Sequence, residues 1–137
     1  MPNISNWFFR LAVLWLLAGV TLGLVMAGSK DHSAFPAHAH MNLLGWVTMT
    51  LFAVFYRLFP AAAASKLAKV HFWIYVPAHL VQMVTLFILL KGTESIEPVL
   101  AIASFAVAAG IIVFAVNLWK NTGSGAAVPQ PVGTAPV

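Results

Sequence analysis

The sequence predicts an all-α membrane protein of four transmembrane helices, and three observations carry that expectation. The 137-residue chain is 61% hydrophobic and only 7% charged, with a mean hydropathy of +0.93, whereas a soluble domain carries about a quarter charged residues. Four stretches approach the roughly 20 apolar residues that a bilayer core demands. The breaks between them are turn-like or charged: Gly28-Ser29-Lys30-Asp31, Pro60 with an alanine run to Ser65-Lys66, and Lys91-Gly92-Thr93-Glu94.

The first span is read over about residues 7–27. Its only early positive charge is Arg10 and its apolar stretch outruns a signal-peptide core, so it reads as a retained helix rather than a cleaved leader. Gly19 and Gly23, with Ala12 and Ala27 nearby, form a small-residue face suited to close helix packing. The second span, about 37–59, opens on His38 and His40 and continues through Asn42, Gly45, Trp46, Thr48 and Thr50. That mixture suits a helix facing protein rather than lipid. The third span, about 67–90, begins near His71-Phe72-Trp73 and carries Pro77 and His79 at its middle. The fourth, about 98–119, is alanine-rich with Gly110 and offers no evident chemistry. Residues 1–120 therefore form one four-helix transmembrane domain. The Gly/Pro/Ala-rich tail over 121–137 reads as disordered, since it has too little apolar surface to offset the entropy of ordering.

Charge sets an expected topology. In a four-span chain Arg10, Arg57, Lys66, Lys69 and Lys120 fall on one side, and Lys30, Asp31, Lys91, Glu94 and Glu97 on the other. The positive-inside rule then puts both termini in the cytoplasm of a multi-pass protein of the bacterial inner membrane. The formal charge of +4 is spread over helix ends, so nucleic acid is not an expected partner and the lipid bilayer is. The absence of cysteine excludes disulfides, thiolate metal sites and cysteine-ligated iron–sulfur clusters. No acidic residue lies inside a span, which removes a carboxylate proton relay, and no Walker, Rossmann or His-Glu-x-x-His motif is present.

The histidines carry the chemistry. An ionisable side chain within a span is expensive and marks a site, and His38 and His40 stand two residues apart at the head of the second span. Two residues correspond to about 200° of helical rotation, so the rings leave on nearly opposite faces. One ion chelated by one helix needs i, i+3 or i, i+4 spacing; opposite faces suit two sites, one on each side. His79 lies too deep for an interface and needs an interior partner such as Gln82. It sits roughly 13 Å deeper than His40 at 1.5 Å per residue, which argues against the two facing each other across one iron. His71 reads as an interfacial aromatic-belt residue, and His32 as a solvated loop residue. Met26, Met41, Met49 and Met83 read as apolar packing before soft ligands.

The run His38-Ala39-His40-Met41-Asn42-Leu43-Leu44-Gly45-Trp46-Val47-Thr48-Met49, continuing to Phe55-Tyr56-Arg57-Leu58-Phe59-Pro60, resembles the tenth helix of haem-copper oxidase subunit I. The closest likeness is to the cbb-type oxidases and the related nitric oxide reductases. His71-Phe72-Trp73 resembles the start of that family's eleventh helix. Together these matches cover about a third of the chain. The resemblance implies haem ligation, His38 on a high-spin haem and His40 on a low-spin one, and a four-helix chain resembling one four-helix arc of that subunit. The family subunit has about twelve helices in three such arcs, so the resemblance further implies a homotrimer, with a dimer as runner-up. Its copper-ligating histidines, tyrosine and channel carboxylates have no separate counterpart here.

The expected cofactor is accordingly haem b, with copper as a further possibility. The cofactor-binding candidates are His38, His40 and His79, and the metal-ligating candidates His38 and His40. The expected function is electron transfer or binding of a diatomic gas (O2 or NO), with a periplasmic redox partner and an oxidoreductase activity left open. Two alternatives stand beside it: a copper sensor, store or assembly factor using His32, His38, His40 and Met41, and a non-catalytic structural subunit.

Overall fold

The computed structural model describes residues 3–123. The chain is an all-α membrane protein, with four helices long and apolar enough to cross a bilayer: Ile4–Ser29, Phe35–Leu58, Lys66–Leu90 and Glu94–Asn121. The first is α1. The second is composite, with α2 (Phe35–His40), a π-helix (Met41–Thr48) and α3 (Met49–Leu58) joined end to end. A short α4 (Pro60–Ala64) leads into the third span, α5 (Lys66–Leu90). A 3₁₀ turn (Glu94–Ile96) opens the fourth, continued as α6 (Glu97–Asn121). The sequence-based spans are each found, with observed ends that differ from the expected limits by at most four residues. The expectation of a disordered tail lies, from residue 124 onward, outside the described residues.

Local chemistry accounts for the boundaries. Asn3 caps α1, its side chain accepting from the Asn6 amide at 3.3 Å. The helix stops at Lys30, which takes the left-handed conformation at φ 57°. Pro60 occupies the first turn of α4 and Pro98 that of α6, where a missing N–H costs nothing. Ser65 caps α5 through the Ala68 amide at 3.1 Å. Large apolar side chains such as Leu24, Ile102 and Phe105 are exposed around the bundle, as lipid-facing helices require.

The two ends of the bundle are packed differently. At the end bearing Arg10, Arg57, Lys66, Lys69 and Lys120, hereafter the basic end, the core is aromatic: Phe8, Phe52, Phe55, Tyr56, Phe72 and Tyr75, with Phe114 against them. Phe52 meets Phe8 edge-on at 5.6 Å and Phe114 at 4.4 Å between ring centroids, distances at which aromatic pairs add to simple burial. Towards the opposite end α1 and the second span approach through glycine. A Cβ on Gly19 would stand 2.5 Å from the Asn42 side chain, and one on Gly45 would stand 2.5 Å from Trp15. The small-residue face expected on α1 is thus a packing face. The opposite end is closed by Lys91, whose ammonium meets Asp31 at 2.8 Å and Ser33 at 3.1 Å.

Candidate functional site

His38 and His40 stand on α2, one turn after Pro36 starts that helix. Their surroundings differ, as the 200° rotation between them requires. His38 turns towards α1, where its Nδ1 is 2.8 Å from the Gly19 carbonyl. Gly23 lies beneath the ring, so that a Cβ there would stand 2.9 Å from His38 Cε1. His40 is exposed and bonds back along its own helix, Nδ1 to the Pro36 carbonyl at 2.8 Å.

Both bonds decide a tautomer. A carbonyl only accepts, so each Nδ1 carries the proton and each neutral ring keeps its lone pair on Nε2. Among the described residues neither Nε2 has a hydrogen-bond partner. This is how ligating histidines are prepared, one nitrogen oriented by a carbonyl and the other bare.

The π-helix begins at the next residue. Polar side chains bond back onto the backbone along it: Asn42 Nδ2 donates to the His38 carbonyl at 2.9 Å, Thr48 Oγ1 to Leu43 at 2.8 Å and Thr50 Oγ1 to Trp46 at 2.7 Å. Such segments concentrate at functional sites. The sequence signals were Gly45 and the polar Asn42, Thr48 and Thr50, legible as an inward face but not as a change of helical pitch.

His79 is fully buried at the middle of α5 and bonds Gln82, as expected; Nδ1 and Oε1 are 3.3 Å apart. Gln82 is itself oriented, its Nε2 donating to Ser104 Oγ at 3.1 Å while that hydroxyl donates to the Leu100 carbonyl at 2.8 Å. The direction of this relay leaves Gln82 Oε1 to accept, which places the His79 proton on Nδ1. His79 Nε2 has no partner among the described residues, and its ring lies 4.6 Å from that of Trp15.

His71 corrects an expectation. It is not an interfacial residue but fully buried, with Phe8 at 5.1 Å, Phe52 at 4.5 Å and Phe114 at 5.4 Å. Asn117 Nδ2 donates to the Tyr56 oxygen at 3.3 Å and to the Ala62 carbonyl at 3.3 Å. Tyr56 therefore donates its own proton to His71 Nδ1 at 3.0 Å. That leaves His71 protonated at Nε2, the reverse of His38, His40 and His79. Ser65 and Asn121 complete the knot on Asn117 Oδ1 at 3.1 and 2.9 Å. Asn117 and Ser104 were overlooked on an apparently featureless fourth span. The available signal was a polar side chain within an apolar run, which inside a membrane must find a partner.

His32 is exposed in the loop, Nδ1 against the Lys30 carbonyl at 3.2 Å. Beside it, Lys91 and the Ser33 amide hold the Asp31 carboxyl well below the usual carboxylate range. Among the described residues no three histidine or carboxylate side chains converge as a metal-binding group. No family model, curated protein or solved structure matches the chain.

Proposed function

We propose that the chain is a haem b-binding integral membrane protein of the kind that haem-copper oxidase subunit I exemplifies, serving electron transfer or binding of O2 or NO. The observation that carries this reading is the matched state of His38 and His40, each with Nδ1 held by a carbonyl and Nε2 bare. Neutral imidazole in apolar surroundings is the ligand that haem iron takes in electron-transfer and gas-binding proteins. The absence of a side chain at Gly23 lets the His38 ring lie against α1, while His40 is exposed on the other side of α2. His79, with its own Nε2 bare and its tautomer set by Gln82, is the third cofactor-binding candidate.

A single chain whose ligands face apart cannot enclose both. In our reading three copies close a ring, and His40 of one chain and His38 of the next hold a haem between neighbouring subunits; a cyclic assembly makes each such interface alike. Haem held by both imidazoles would supply a one-electron redox centre; held by one of them, it would keep a position open for a diatomic gas. The positive-inside rule puts both termini in the cytoplasm and the His38–His40 end on the outer face of a bacterial inner membrane, where a periplasmic redox partner reaches it.

Protein purified in detergent from haem-replete cells tests this. It should show a Soret band that His38→Ala and His40→Ala each abolish or shift, while His32→Ala leaves it alone. Wild-type spectra and haem content in both single variants would overturn the assignment.

A further inference from the structure

Arg57 ends α3 at the basic end and is exposed. Among the described residues it forms no hydrogen bond or ion pair: the one ion pair described joins Lys91 to Asp31 at the far end of the bundle. The three acidic residues of the chain, Asp31, Glu94 and Glu97, all lie at that far end. A guanidinium presents five donors in a planar fork suited to phosphate, and among the described residues no anion meets it.

The side chain lines an open cavity of about 350 Å³ between the start of α1 and the turn into α4, with Asn3, Tyr56, Pro60 and Ala63 as further walls. Its depth in the membrane is marked independently. Trp7, Trp73 and Trp119 are all exposed, 43%, 65% and 76%, and all lie towards the basic end, as tryptophans do at the headgroup level. That is the level at which a guanidinium can meet lipid phosphate.

The geometry points to a binding site for one anionic phospholipid, its phosphodiester on Arg57 with Asn3 beside it. Phosphatidylglycerol has the matching chemistry: a single net negative charge for a single cation, with acyl chains that follow the apolar flank of the bundle. Phosphatidylcholine offers the same phosphodiester with a cation of its own, which opposes Arg57. The site is independent of any haem and sits at the other end of the molecule from His38 and His40.

Native mass spectrometry of the delipidated protein, titrated with phosphatidylglycerol or phosphatidylcholine, tests it. Phosphatidylglycerol should bind as a single tight adduct, weakened about tenfold by Arg57→Gln, the loss of one charge-assisted pair. Arg10→Gln should leave it nearly unchanged, because Arg10 lies over the Trp7 ring at 5.6 Å and does not line the cavity. Both variants alter exposed residues, so folding is preserved. Equal binding by wild type and Arg57→Gln would overturn the site. So would equal affinity for phosphatidylcholine, or displacement of the lipid by inorganic phosphate at the same concentration.

Discussion

At the basic end His71 is enclosed by Phe8, Phe52 and Phe114, and its Nδ1 is taken by Tyr56. At the opposite end the His38 and His40 rings hydrogen-bond only to backbone carbonyls among the described residues, and each keeps Nε2 bare. The same side chain thus stands in two tautomers in one bundle, and the difference lies in the partner on Nδ1. A hydroxyl that donates leaves the proton on Nε2. A carbonyl that accepts leaves the proton on Nδ1 and a lone pair on Nε2, the state that the ligand role proposed for His38 and His40 requires. The surrounding packing follows suit, interlocked aromatic rings around His71 and glycine beside His38.

The largest effect expected from breaking this contrast is at the closed end. Phe52 packs on Phe8, His71, Tyr75 and Phe114 together. Phe52→Ala should lower stability on the order of 3 kcal/mol, as aromatic truncations in packed cores do, read as a lowered melting temperature in detergent. An unchanged melting temperature would show that the aromatic knot is not what holds the bundle.

Gly23→Ala sharpens the comparison at the open end. The new methyl would meet His38 Cε1 at 2.9 Å, so the ring must shift while the rest of the fold is spared. The account expects an altered haem spectrum with a melting temperature close to wild type, the opposite pattern from Phe52→Ala. A loss of fold without spectral change would make Gly23 a packing residue only.

The smallest effect lies at the loop that closes the open end. Asp31 has its pKa lowered from 3.8, first by the Lys91 hydrogen bond and then by the Ser33 amide. A lowered folded pKa contributes stability above the unfolded value and loses it only as pH falls through the folded one. The clamp should therefore hold unchanged from pH 7 to pH 5 and yield only in strong acid. Asp31→Ala should change the melting temperature little, since both partners are exposed, but should speed hydrogen exchange at the Ser33 amide, which donates to Asp31 Oδ1 at 2.9 Å. Unchanged exchange at that amide would show that the clamp does not order the loop.

How much of this could be read beforehand follows the range of the interactions involved. The four spans, the opposed rings of His38 and His40, the Gly19–Gly23 face and the His79–Gln82 pair all depend on spacing along one helix or on local hydropathy. His71 was misjudged because its burial depends on Phe8, Phe52 and Phe114, which come from three other spans, and on Ser65 and Asn117 closing the end above it. The π-helix was invisible for a related reason. Its one side-chain bond that spans five residues, Thr48 to the Leu43 carbonyl, goes with a change of helical pitch that apolar periodicity does not report.

The central claim is that His38 and His40 hold haem from opposite sides of one helix and so require neighbouring copies. Native mass spectrometry of the haem-loaded protein in detergent measures subunit number and haem number together. The account expects a trimer carrying haem, with His38→Ala and His40→Ala each losing it. A monomer that keeps its full haem complement would contradict the shared site.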